Sequence, residues 1–329
     1  MRFRKIVACL VGAMIATGNL HAETLKISGL YPAEQADTAL LQSISVENFG
    51  GQDGDALGFA IEEKLRAVAF ETGPYFTVMA GRSAADPGAT LSGTATARVN
   101  EYHTREYRSR CVERNDKDKC VKRKSIKVPC LKRVIDFSAN VRLSRFSDGQ
   151  TIYRDTKTAR AEQTNCEEYS NFKSREGEIR KMIDSAAYAV RRDLAPIQLT
   201  QKIRILESRK GMEKAVSRAF RAAIKMTKKD DAEACRMFSE TAANGAPHGS
   251  LAFNTGLCAE QEGDFETALL RYDEANNLLG GKGEVDEGIR RIRDKQRAAS
   301  DWNARIAAIN DAQSGEASLA DAALPSGTD

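Results

Sequence analysis

The chain has 329 residues, a length that suits about two domains. Charged residues make up 29% and hydrophobic ones 41%, which describes a water-facing surface over an ordinary core and excludes a chain that is disordered throughout. The formal net charge is only +4, and the segment 1–22 carries Arg2, Arg4 and Lys5 with no acid, so a processed chain would stand at +1. That balance argues against a nucleic-acid binder.

The first element is a leader. MRFRK is a short basic start, IVACLVGAMIA (6–16) is an apolar run, and TGNLHA ends in the small residue Ala22. This is the layout of a secretory signal, with cleavage expected near Ala22 and a periplasmic address. The apolar run is too short to span a bilayer, which takes about 20 residues. Cys9 lies inside the run and residue 23 is Glu, so the lipidated cysteine of a bacterial lipoprotein is not expected.

From 23 to 205 the pattern reads as an α/β domain. Ile44 and Val46 alternate with Ser43, Ser45 and Glu47 in a short strand. GQDGD then breaks the chain, and Asp53 or Asp55 can cap a helix whose apolar face is Leu57, Ile61, Leu65 and Val68. YFTVMAG (75–81) and ATLSGTATARV (89–99) are strands, and Ile135, Phe137, Ala139, Val141 and Leu143 mark a long one. Asp148-Gly149 supplies a hairpin turn, TIYRDTKTARAE returns, and a helix carrying Ile179, Met182, Ile183, Ala186, Val190 and Leu194 stops before Pro196. The expected fold class is α+β: a mixed sheet with helices on one face, followed by helices alone. The connector 197–211 fits either strand or helix.

A basic insertion, 101–134, interrupts that sheet. Between 104 and 134 it holds 12 Lys or Arg against four Asp or Glu, and Cys111, Cys120 and Cys130 punctuate it. The reading preferred here is a solvated hairpin with Asn115-Asp116 near its tip, pinned by a disulfide. A second reading makes it a site for an anionic glycan or lipid surface, with Arg108, Arg110, Lys122, Arg123 and Lys124 as contacts. A membrane-inserted pore hairpin is excluded, because each charge would cost about 2–4 kcal/mol at the bilayer midplane.

Past Cys9 the cysteines are six: Cys111, Cys120, Cys130, Cys166, Cys235 and Cys258. An even number in an exported chain reads as disulfides, and the long gaps argue against zinc. Four of them allow three pairings. The local loop favours Cys111–Cys120 with Cys130–Cys166, and Cys235 and Cys258 could staple neighbouring helices.

In the last third, Gly256, Ala268, Tyr272 and Ala275 sit at helical spacings. One constant step earlier stand Ala222, Ala234, Phe238 and Thr241, and the same step separates Asp230 from Asp264 at the turns. This resembles the tetratricopeptide repeat, and AEACRMFSETAANGAPH resembles its Sel1-like variant. Residues 206–311 would hold two such hairpins and a polar capping helix (283–310), with 312–329 a disordered tail. Two repeats are few, so the array is expected to lean on the α/β domain or on another copy. The resemblance implies a peptide-binding groove at Ser250, Phe253, Leu257, Glu260 and Gln261, where changing Phe253 and Glu260 would weaken a partner without unfolding the chain.

The phrases SISVENFGG, FTVMAGR, LSGTATARV and FSANVRLSRFSDGQTIYR resemble the CsgG-like envelope domain, shared by the curli-secretion lipoprotein and by activators of penicillin-binding proteins. The likeness implies a role in cell-envelope assembly or cell-wall synthesis. The sequence departs from that pattern in lacking a lipidated cysteine and in carrying the basic insertion.

Catalytic signals are thin. Past the leader only His103 and His248 remain, and neither has a nucleophile motif beside it. There is no P-loop, dinucleotide fingerprint or H-E-x-x-H. Glu62-Glu63 reads as a solvated pair, and Gly50, Gly51 and Gly54 lack the lysine of a phosphate cradle. The expectation is a non-catalytic interaction protein without cofactor or metal, binding an envelope protein or peptide, with a homo-oligomer possible and an enzyme with an unrecognised site as the remaining alternative.

Overall fold

The computed structural model describes residues 23–71, 73–81, 88–166 and 172–322. The expected leader, 1–22, lies outside the described residues. The protein is α+β and divides into two units. One takes Leu30–Leu199 and the chain from Asp294 onward; the other takes the chain up to Gly29 together with Thr200–Arg293. The cut therefore does not follow a single point near residue 205. The helical unit draws on two distant stretches of the chain.

In the α/β unit, strands β2 (Ser43–Val46), β5 (Thr77–Ala80), β6 (Ala89–Arg114), β7 (Cys120–Arg145) and β8 (Thr151–Asn165) form a five-stranded sheet in the order β5-β2-β6-β7-β8. β2 pairs in parallel with β5 and β6, and β6, β7 and β8 are antiparallel neighbours. The short pair β3 (Ala69–Phe70) and β4 (Gly73–Pro74) stands apart. Side chains alternate across a strand. Ala95, Ala97, Ile135, Phe137, Ala139, Val141 and Leu143 thus share one buried face. Helix α1 (Gly54–Arg66) brings Leu57, Ile61 and Leu65 to it, and α2 (Arg175–Leu194) brings Met182, Ile183, Val190 and Leu194. Among the described residues no helix covers the opposite face of β6, β7 and β8, and from the row of Ser92 to the row of Arg98 its side chains are exposed or half-buried.

Asp53 does stand at the N-cap of α1, but its carboxylate does not cap the helix. It turns to the sheet and accepts from the Ala97 amide at 2.6 Å, tying the helix start to β6. Gly93 is fixed by close approach, since a Cβ there would sit 2.2 Å from the Asn140 carbonyl.

Helix α7 (Gly283–Ala322) runs further than a repeat cap and continues past residue 312. Its stretch from Asp294 belongs to the α/β unit. There Trp302 meets Phe70 edge-on at 5.0 Å and stacks on Tyr75 at 6.3 Å. Arg305, 4% exposed, donates to the carbonyls of Ala39, Leu41 and Tyr75, and its guanidinium lies 3.9 Å over the Tyr75 ring. Burial lowers its pKa.

The helical unit holds α3 (Lys214–Met226), α4 (Asp231–Ala243), α5 (Gly249–Glu262), α6 (Phe265–Leu279) and the start of α7. Asp230 and Asp264, one repeat step apart, cap α4 and α6 through the amides of Glu233 and Thr267. Phe220 meets Phe238 and Phe253 meets Tyr272, each with ring centres 5.6 Å apart. A Cβ on Gly256 would come within 2.8 Å of the Tyr272 ring, which explains the small residue. Ala222, aligned with Gly256 one period earlier, is exposed, and Ala223 faces the core instead. Helix α3 is therefore offset by one position from α5, while α4 keeps the repeat step to α6.

The connector resolves as strand. β9 (Ile197–Arg204) pairs with β1 (Thr24–Tyr31) in a two-stranded sheet.

Candidate functional site: a filled groove and a free ribbon

Helix α5 is buried without interruption from Gly249 to Glu260. Ser250, Phe253, Leu257 and Glu260 are each 1% exposed or less, so none can line an open groove. This corrects the sequence expectation. What fills the place of a bound peptide is the protein's own extended chain. Leu25, Ile27 and Ile205 enter the same core as Phe253 and Leu257. Asn254 grips the backbone of Leu206 on both sides, accepting from its amide at 2.9 Å and donating to its carbonyl at 3.0 Å. Gln261 donates to the Lys26 carbonyl at 3.0 Å, and the Lys26 amide reaches Asp231 at 3.3 Å. Lys228 pairs with Glu23 at 2.7 Å.

Glu260 is an internal ion. It takes the Arg291 guanidinium at 3.1 and 2.8 Å and the Tyr272 hydroxyl at 2.7 Å. Burial raises the pKa of that hydroxyl, and the carboxylate beside it raises it further. Changing Phe253 or Glu260 would damage the fold, so these positions cannot serve as a probe of partner binding.

The basic insertion takes a different form. β6 and β7 remain paired after the third strand stops, since β8 ends its pairing at Asn165 opposite Leu131. From Thr104 opposite Cys130 to Arg114 opposite Cys120 the two strands form a lone ribbon, roughly 35 Å long at 3.4 Å per residue. Register shifts between Cys111 and Arg114 bend its end. The tip is a turn in which Asn115 Oδ1 accepts from the amides of Lys117 and Lys119, with Asp118 at φ 56°.

Disulfides hold both ends of the ribbon. Cys111–Cys120 closes the tip, with Cα atoms 5.8 Å apart, and Cys130–Cys166 ties the root to the residue that follows β8. Cys235–Cys258 joins α4 to α5. All three pairs match those preferred from the sequence. Glu106 lies beside Cys130 and Cys166, but the two sulfurs are bonded to each other, which leaves no thiolate pair there for a metal. The root is further fixed by Arg133, which donates to Glu101 at 2.6 Å and to the Lys173 carbonyl at 2.9 Å and stacks on Phe172. Hydrogen bonding from Arg133 holds the Glu101 carboxyl below its ordinary pKa.

Residues opposite one another on paired strands share a face. Arg108 and the facing pair Arg110 and Lys124 lie on one face of the ribbon, and Arg123 lies on the other. Lys122 stands at the bend, 3.7 Å from Glu113, and Arg108 pairs with Glu106 at 2.6 Å. Arg105 and Lys127 were not singled out by the sequence reading. They join Arg123 on the second face, flanking Tyr107, which is 71% exposed. Arg105, Arg123, Lys124 and Lys127 form no ion pair with any described residue. Acids gather at the tip, so the cationic part is the stem, and it is cationic on both faces.

His248 caps α5 through the Ser250 amide, and its other ring nitrogen lies 3.2 Å from the Lys210 carbonyl. His103 sits exposed at the ribbon root. Glu62 pairs with Arg66 at 2.7 Å. The Gly50–Gly54 turn packs on Phe49 and β6, where a Cβ on Gly54 would meet the Phe49 carbonyl at 2.3 Å.

No family model and no curated protein matches this sequence. Solved structures that match over about half the chain include a dodecamer of a PelC point variant from Paraburkholderia phytofirmans, at 15% identity and TM-score 0.25, covering 52% of this chain and 98% of that one. Others are the PelC dodecamer from the same organism (13% identity, TM-score 0.23, 51% and 97%) and a minor lipoprotein from Acinetobacter baumannii (11%, 0.23, 47% and 90%). At these values the likeness carries no functional argument. The three disulfides fit an oxidising, exported setting. Among the described residues no helix is long and apolar enough to cross a membrane.

Proposed function

We propose that this protein is an exported, non-catalytic adaptor of the cell envelope, acting in envelope assembly or cell-wall synthesis and docking through its basic ribbon into an acid-lined cleft of an envelope protein. The observation that carries the reading is the ribbon itself. It adds almost nothing to the core of its unit, yet two disulfides brace it, and its stem presents four cations that have no ion-pair partner among the described residues. A flat lipid surface would meet one face only. Cations on both faces suit walls on both sides. Rigidity matters too, because a braced ribbon loses little freedom on binding.

The CsgG-like resemblance of the α/β unit belongs to this reading, and so does the tetratricopeptide-like spacing of the helices, now as a self-filled support. The test is crosslinked capture of the processed, tagged protein from its own envelope, compared with the Arg105→Gln, Arg123→Gln, Lys124→Gln, Lys127→Gln variant. One envelope protein recovered in stoichiometric amount by the wild type, and lost with the four charges or at high salt, is the expected result. Equal recovery by both forms would overturn the ribbon as the docking element.

A further inference from the structure

The open face of the sheet carries a second ordered surface, independent of the ribbon. The register sets its side chains in rows across β6, β7 and β8. At one end Ser92, Arg142 and Arg154 stand side by side. At the other end the row is Arg98, Asp136 and Arg160. Between them run Thr94, Asn140 and Thr156, and then Thr96, Ser138 and Thr158. The two end rows are three double steps apart, about 20 Å, and three strands make the floor about 10 Å wide. A shallow concavity of about 520 Å³ occupies the part of this floor nearest Arg98.

The end rows differ. Arg160 is satisfied, donating to Asp136 at 2.8 Å and to Glu162 at 2.9 and 2.8 Å. Arg142 and Arg154 are not. They face each other directly across the ladder, both are exposed, and neither has an ion pair or side-chain hydrogen bond to any described residue. Like charges directly opposite weaken a strand pair. A carboxylate or phosphate seated between two guanidinium groups turns that repulsion into two charge-assisted contacts. Arg98, at the far end, is also unpaired among the described residues.

The floor between the arginines is uncharged and offers hydroxyls throughout. The Thr156 hydroxyl donates to Asn140 Oδ1 at 2.8 Å, which leaves the Asn140 amino group available to a ligand. A lipid tail or an apolar helix would find nothing to bury here. An extended acidic peptide could satisfy the arginines but would leave most of the hydroxyls to water. A chain that carries both hydroxyls and anionic groups satisfies both features. We infer that this sheet face is a binding track for a linear acidic glycan, anchored by an anionic group between Arg142 and Arg154 and laid along the hydroxyl floor toward Arg98.

The test is direct binding of hexagalacturonate to the full chain at low salt, by calorimetry, beside maltohexaose and hexaglutamate of similar length. The wild type should take hexagalacturonate, bind maltohexaose much more weakly, and bind hexaglutamate less well than the glycan. Arg142→Gln with Arg154→Gln should weaken the glycan at least about tenfold, the loss of two charged hydrogen-bonding groups. Its midpoint of thermal unfolding should not fall, because the change removes a repulsion. Thr96→Val with Thr158→Val keeps every charge and should weaken the glycan while leaving hexaglutamate unchanged. The four-charge ribbon variant should bind the glycan as the wild type does, which separates this site from the ribbon's. The inference is overturned by any of three results: no binding of hexagalacturonate, unchanged binding in the Arg142 and Arg154 variant, or equal affinity for hexaglutamate.

Discussion

The inner face of the helical array and the stem of the basic ribbon are opposites in chemistry and in what they leave available. On the helices, side chains that look suited to hold a peptide are already holding one, supplied by the chain's own residues 23–28 and 205–206. On the ribbon, side chains that look like ordinary solvated charge are held out on a braced arm, several of them unpaired among the described residues. Residue type marked the first region as a site, and burial removes it. The lesson is that a groove is defined by what does not fill it.

The contrast can be broken from the helical side first, where the largest effects are expected. Phe253→Ala should cost about 3–5 kcal/mol, the range for emptying an aromatic site in a core. Urea unfolding reports it, and a loss below about 1 kcal/mol would mean that α5 is not the core element described here. Glu260→Gln leaves Arg291 buried without its counter-ion, and the expected loss is about 3 kcal/mol or more. Asn254→Ala should cost about 2 kcal/mol by orphaning two backbone groups of Leu206. Hydrogen exchange at the Leu206 amide should speed up in that variant before the rest of the unit responds.

On the ribbon the expectation reverses. Neutralising Arg105, Arg123, Lys124 and Lys127 should change stability by no more than about 0.5 kcal/mol per site while abolishing salt-sensitive capture. The smallest effect concerns pH. Glu101 has a lowered pKa because Arg133, and then Arg175, favour its charged form. The stabilisation is therefore complete above the ordinary carboxylate pKa, about 4.3, and is lost as acid carries the pH down through the lowered value. Protection factors at the ribbon root, taken relative to intrinsic exchange at each pH, should fall only below about pH 4. Loosening that begins well above that pH would mean that a group other than Glu101 governs the root.

Much of the frame was legible in the residues. The alternation through Ile135–Leu143, the Asp148-Gly149 turn and the periodic aspartate caps are local patterns, and local patterns survive folding. What escaped was set by distance in sequence. Nothing near Phe253 says that Leu25 and Ile27 will cover it, since the whole α/β unit's main stretch lies between them in the chain. Trp302 and Arg305 read as parts of a polar cap, because their partners Phe70, Tyr75 and Ala39 lie in another stretch of chain. The opposed pair Arg142 and Arg154 is visible only once the β7–β8 register is known.

The way the helical unit is assembled from two distant stretches of the chain bears on how the protein is made. Ser28 bonds Thr200 across 172 positions, and Gln261 bonds Lys26 across 235. Strand β1 must wait, unpaired, while the main stretch of the α/β unit is synthesised and delivered. Closing so long a loop is slow compared with forming the hairpins inside the sheet. The α/β unit should therefore gain its disulfides first, and the strand at Glu23–Gly29 should be the last to find its place. During that interval the inner face of α5 is uncovered, and a folding helper that recognises extended apolar chain would find its substrate in the waiting strand.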